Sequence, residues 1–180
     1  MKFKIFRFKK VKSTNNTAIR IIKGSNCKYG MVISDTQTMG RGQYGKKWIS
    51  HKGNLFVSFF HDLKNINLSL TRLTKINCLL IKKLLSNYYK KNIIFKKPND
   101  LLVQKKKISG ILQEIVFVSG RKFLITGIGI NITKSPKIKN YSTTSLYELI
   151  NRRINKKELK NKLKLIFEKN LSKMYNMKNK

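Results

Sequence analysis

The sequence predicts a single domain, residues 1–180, of the α+β (mixed α/β) class, with a central mixed β-sheet packed with helices. Three observations carry this. Runs rich in β-branched and aromatic residues, such as NLFVSFF and KFLITGIGI, fill the start and middle of the chain. Two longer segments place apolar residues three and four apart, the spacing of one helix face. No repeat, linker or low-complexity block interrupts the 180 residues, a length that suits one buried core.

Taken in order, residues 3–11 alternate basic with apolar side chains and form a strand. STNNTAIRIIKG then offers Ser13 or Thr14 as an N-cap and Gly24 as a stop, so a short helix follows. Residues 30–37 and 54–62 are strands, with the glycine loop GRGQYGKKW at 40–48 between them. Its first six residues satisfy GxGxxG, yet a dinucleotide-binding loop must open a helix. This loop runs instead through two further turn signals into a strand, which argues against a Rossmann turn. Between residues 70 and 88, Leu70, Leu73, Ile76, Leu80, Leu84 and Tyr88 make the core-facing stripe of a helix, and Cys78 beside them is packing. A short strand ends at Pro98, and two longer strands follow, with turns expected at 105–107 and 119–120. The last helix, 156–174, puts Leu159, Leu163, Ile166, Phe167 and Leu171 on one face and lysines on the other.

Forty-one Lys and Arg against seven Asp and Glu give a net charge of +34, which suggests a polyanionic partner. The excess is almost all lysine, spread along the chain together with Asn and Ile, residues of A+T-rich codons. Base composition therefore accounts for the charge without nucleic acid, and no specific DNA is expected. Cys27 and Cys78 lie far apart, with no CxxC and no clustered histidine, so neither a disulfide framework nor a protein-bound metal is indicated. The N-terminus lacks the unbroken apolar core of a signal peptide, and no run of about 18 apolar residues occurs. A cytoplasmic protein without a membrane partner is the expectation.

The seven carboxylates, Asp35, Asp62, Asp100, Glu114, Glu148, Glu158 and Glu168, form no close pair in sequence, and neither His51 nor His61 has an evident nucleophile beside it. The loops hold glycine, Arg41, Lys46, Lys47, Asn99, Lys107 and Asn131. Fixed cations, amides and backbone donors of this kind suit phosphate chemistry, in which positioning and charge stabilisation do most of the work.

STNNTA (13–18), GRGQYGKKWISHKGNLFVSF (40–59), KPNDLLVQKKKISGILQE (97–114), GIGINI (127–132) and TTSL (143–146) together resemble, in order and spacing, the biotin protein ligases. The resemblance covers nearly the whole chain. It implies the biotin/lipoate ligase catalytic-domain fold and a reaction in two steps. Biotin and ATP first give biotinyl-5′-AMP and pyrophosphate; a lysine of the biotin carboxyl carrier protein of acetyl-CoA carboxylase then attacks the mixed anhydride. ATP is implied as co-substrate with its Mg2+, and no tightly bound cofactor.

Residue by residue, the resemblance implies biotin contacts for Ser13, Thr14, Asn15, Gln37, Arg41, Gly42, Gln43 and Lys107. It implies nucleotide contacts for Lys46, Trp48, Asn99 and Asn131, and catalytic roles for Arg41 and Lys107. Asp100 completes the PND element. Three positions depart from the family pattern: Gln43 replaces an arginine, Lys97 a tryptophan and His51 a proline. Neither the winged helix of the repressor-type ligases nor the small SH3-like domain of bacterial relatives is expected. Lipoate or octanoate ligases and transferases share the fold and are the nearest alternative, against which stand the GRGxxG…W loop and the PND…KxxGIL pairing. A basic nucleic-acid-binding protein is the alternative of another class.

Overall fold

A computed structural model describes residues 1–64, 66, 68–139 and 141–176. Its strands are β1 (Lys4–Val11), β2 (Tyr29–Gln37), β3 (Leu55–Asp62), β4 (Ile94–Lys96), β5 (Asp100–Val103), β6 (Lys106–Val118) and β7 (Arg121–Ile130). They form one sheet in the order β1-β2-β3-β7-β6-β5-β4. The helices are α1 (Thr14–Gly24), α2 (Leu70–Leu85), α3 (Leu146–Ile150) and α4 (Lys156–Asn176). β1 and β2 are parallel, as the crossover through α1 requires, and every other neighbouring pair is antiparallel. The sheet is therefore mixed.

Alternation along the strands separates two faces. On one, α2 and α4 bury Met31, Val57, Phe59, Ile128 and Ile130 beneath Ile81, Leu84 and Leu163. The rings of Phe59 and Phe167 stack there with centroids 4.3 Å apart. On the other, Ala18 and Ile22 of α1 close over Val32, Phe60 and Ile125. β3, central in the sheet, is buried along its whole length, which is why it reads as a nearly continuous apolar run.

Three details differ from the sequence expectation. The turn expected at 105–107 is made by Gln104 and Lys105, both with positive φ, and Lys106 and Lys107 already belong to β6. The stripe expected on α2 is rotated. Its buried face is Leu73, Thr74, Asn77, Cys78, Ile81, Leu84 and Leu85, while Leu70 is exposed and Ile76 and Leu80 are half-buried. Two polar residues move inward because β6 and β7 offer them partners: Thr74 bonds Gln113, and Asn77 bonds Thr126 at 3.3 Å. Finally, α3 has no counterpart among the elements expected from the sequence. Its signal is a capping box in which Ser145 accepts from the Glu148 N–H and the Glu148 carboxylate accepts from that of Ser145.

Candidate active site

Gly110 on β6 faces Gly129 on β7, and Gly127 follows on the same side of the sheet. With no side chains there, the sheet leaves a cavity of about 660 Å3 floored by these glycines and flanked by the start of α1, the 40–49 loop and the 96–100 segment. The glycines are required sterically. A Cβ on Gly129 would sit 2.3 Å from the Trp48 ring, one on Gly127 2.3 Å from Asn15 Oδ1, and one on Gly110 2.8 Å from Trp48 and Lys107.

At one end, α1 supplies Thr14 and Asn15 to a network of amides and hydroxyls that ends on the Glu114 carboxylate. The Thr14 N–H and hydroxyl donate to Gln37 Oε1 at 2.8 and 3.1 Å, and Gln37 Nε2 donates to Ser50 Oγ at 3.1 Å. Asn15 Oδ1 accepts from Ser58 Oγ at 2.5 Å, and its Nδ2 donates to Glu114 at 2.6 Å. Ser13 occupies the N-cap position of α1 without a side-chain capping bond, so its hydroxyl is not committed to the helix.

At the other end stands Lys107. Its ammonium lies 2.6 Å from Asp100 and 5.4 and 5.3 Å from the ring centroids of Trp48 and Tyr141. The Tyr141 hydroxyl donates to the second Asp100 oxygen at 2.7 Å, and burial together with that bond pushes the phenol well above its ordinary range. Lys107 is thus held by one carboxylate and two aromatic faces, and one strand placed it there.

The loop between β2 and β3 forms the lid-like wall. Gly42 donates to the Lys46 carbonyl at 2.6 Å, Trp48 to that of Gly40 at 2.9 Å, and Tyr44 and Gly45 take positive φ in a single turn. It opens no helix. Arg41 reaches across to Glu114, with Nη2 2.7 Å from both oxygens. Gln43, Lys46 and Lys47 line the same wall.

Ser13, Thr14, Asn15, Gln37, Arg41, Gly42, Gln43, Lys46, Trp48, Asn99, Lys107 and Asn131 all line this cavity. Like Thr14, Asn15, Gln37, Arg41 and Lys107, the two asparagines are engaged with the protein: Asn99 Nδ2 donates to the Ile111 carbonyl at 2.6 Å, and Asn131 Nδ2 to that of Thr144 at 3.1 Å. Sequence reasoning missed four residues that hold the others in place. Glu114 ties Arg41 to Asn15, Ser58 joins Thr14 to Asn15, and Tyr141 braces Asp100. Asn54, fully buried, accepts from the Ile132 and Thr133 N–H groups and so sets the chain after β7. Glu114 was findable as one of only seven carboxylates, placed inside a family motif. The others required the fold.

Residues 7–132 match the model of the biotin/lipoate A/B protein ligase family. The chain is similar to the bifunctional ligase/repressor BirA of Bacillus subtilis, with 29% identity over 164 residues, 87% of this chain and 50% of that protein. It thus spans about half the length of that relative. Among solved structures it resembles the biotin protein ligase of Aquifex aeolicus in complex with biotin and ATP, with 31% identity, a TM-score of 0.81, and coverage of 96% of this chain and 72% of that one. It also resembles the biotin protein ligase of Leishmania major in complex with biotin, at 25% identity and a TM-score of 0.76 over 90% of this chain and 71% of that one. A family match over most of the chain and a fold shared with solved biotin protein ligases leave one conclusion: the chain belongs to the biotin/lipoate A/B protein ligase family.

Proposed function

We propose that this chain activates biotin with ATP to biotinyl-5′-AMP and transfers biotin to a lysine of a biotin carboxyl carrier protein. The observation that carries the reading is the polarity of the cavity. Neutral amides and hydroxyls (Thr14, Asn15, Gln37) crowd one end, and Arg41, Lys46, Lys47, Lys96, Lys97 and Lys107 line the remainder. The neutral end suits an uncharged ureido ring; the cationic part suits a carboxylate and a triphosphate.

In the first step a biotin carboxylate oxygen attacks the α-phosphorus of ATP, and pyrophosphate leaves with the electron pair of the broken P–O bond. Negative charge builds on the α-phosphate oxygens, where the Lys107 ammonium and the Arg41 guanidinium can offset it. Both cations are already paired, with Asp100 and Glu114, so the site is preorganised and each must exchange a protein carboxylate for the substrate. Trp48 Nε1 is buried and meets no acceptor among the described residues, so it is available to a polar atom of a bound molecule. ATP enters as its Mg2+ complex, the ion being part of the substrate. In the second step the carrier lysine, as the free amine, attacks the carbonyl of the anhydride, AMP departs, and the amine loses its extra proton.

Biotin-dependent exchange of labelled pyrophosphate into ATP tests the first step. Exchange with biotin and none with lipoate is the expected result. A folded protein inactive at millimolar ATP would remove this reading. Lys107→Ala should lose about 10²-fold in exchange, the typical effect of deleting one preorganised donor. A loss under about threefold would place Lys107 outside the reaction.

A further inference from the structure

Away from the catalytic cavity, a second group of charges gathers on the opposite face of the sheet. Arg7 pairs in register with Ile33, which belongs to the core beneath α4, whereas neighbouring Val32 belongs to the core beneath α1. Strand alternation therefore aims Arg7, Lys9 and Asp35 at the first turn of α4. A cavity of about 470 Å3 lies between them, lined by these three side chains with Lys156, Lys157 and Lys160. Five cations thus face one carboxylate, and the Asp35 side chain is 65% exposed, with Lys156 at 3.4 Å.

Lys160 is the informative residue. It is only 9% exposed, lines the cavity, and makes no ion pair or hydrogen bond through its ammonium among the described residues. A+T-rich coding accounts for lysines on open surfaces, where a charge is cheap. It does not account for a lysine residue nine-tenths covered, whose side chain opens into a cavity shared with four other cations, since like charges gathered in one place repel. Burial, with Arg7, Lys157 and Lys156 close by, pushes the ammonium below the usual lysine range. Lys156 and Lys157 also sit at the N-terminal end of a 21-residue helix, the end that disfavours cations. One bound anion would relieve all three costs.

We propose that this cavity binds a small phosphate-bearing anion, held by Lys160 and Arg7 with Lys156 and Lys157 at its mouth. A volume of this order admits a small ligand rather than a polymer groove. Arg7 supplies a planar fork and the lysines point charges, the combination that suits phosphate oxygens. The site is distinct from the Lys107 cavity and does not depend on the reaction there.

Thermal unfolding of the full chain in inorganic pyrophosphate, with ionic strength matched by NaCl, tests it. Wild type should gain about 5 °C or more at a hundredfold excess over Kd. Lys160→Met keeps the apolar stem; it should unfold at a higher temperature than wild type without the anion and lose the gain contributed by this site. Lys169→Met, an exposed control on the same helix with the same change in charge, should keep the gain, and Lys107→Met should keep the Lys160-dependent part. Should Lys160→Met fail to fold, Arg7→Gln takes its place with the same expected loss. Equal gains in wild type and Lys160→Met, or a loss in Lys107→Met alone, would overturn the proposal. So would a larger Lys160-dependent gain from a single-stranded oligonucleotide at equal phosphate concentration, which would mark a nucleic-acid surface.

Discussion

Gln43 lines the cavity within the glycine loop, at a position where the resemblance leads one to expect arginine. A hydrogen bond to a charged group contributes about 1.5 to 3 kcal/mol and a neutral one about 0.5 to 1.5, so an amide in place of a guanidinium weakens retention of an anionic intermediate by about 1 kcal/mol. The adenylate should then escape several-fold faster than from Gln43→Arg, and nearby lysines should become labelled. Release rates of biotinyl-AMP from the two proteins decide this; equal release would mean that Lys46 or Lys47, on the same wall, replaces the missing cation. Elsewhere in the site, residues act through protein partners, one of them far along the chain. Arg41 is aimed by Glu114, 73 positions away, and Lys107 by Asp100 and Tyr141.

Two strands carry consequences of their own. On β7, Gly129 lies under the indole of Trp48, the only tryptophan in the chain, so Gly129→Ala must displace that ring. Misplacement by about an ångström costs about 10²-fold in rate, and the intrinsic fluorescence should shift with it. Gly24→Ala, which meets nothing within 4 Å, should change neither. Unchanged emission from Gly129→Ala would show that the ring does not rest on the strand.

On β3, burial lowers the His61 pKa from 6.5 to about 4, against a smaller opposing effect of the Asp62 carbonyl, which lies 3.1 Å from Nδ1. The folded state therefore takes up this proton at lower pH than the unfolded chain. Stability from the neutral ring is complete above about pH 6.5 and is lost as pH falls towards 4, a change of up to about 3 kcal/mol. Denaturant titrations across that window should slope less steeply for His61→Gln than for wild type; parallel slopes would exclude His61 as the source.

At the scale of the whole molecule, a net charge of +34 with lysines spread along the chain acts as a field rather than as a site. Double-stranded DNA should bind weakly and without sequence preference, with affinity that falls steeply as salt rises. Sequence-selective binding at physiological salt, measured by competition between unrelated duplexes, would contradict this. The same field should speed encounter with an acidic carrier protein, an effect that added salt screens. No described helix is long and apolar enough to cross a membrane.

The sequence by itself determined the mixed α and β class, most element boundaries and the residues that gather in the cavity. The class and the boundaries follow from local periodicity and turn chemistry, and the cavity residues from what the resemblance to the biotin protein ligases implies. NLFVSFF, rich in aromatic and β-branched residues and preceded by a glycine turn, reads as a strand, and a glycine loop followed by a strand does not fit a Rossmann turn. Only the tertiary structure decided which face of α2 turns inward. Apolar spacing alone favoured Leu70, Ile76 and Leu80, but Gln113 and Thr126 on the sheet gave Thr74 and Asn77 partners, and the helix rotated to reach them. It likewise decided that Glu114 holds Arg41 and that Lys160 lies buried among cations. Such contacts join residues tens of positions apart, and their energy depends on burial and distance, quantities that exist only once the chain has folded.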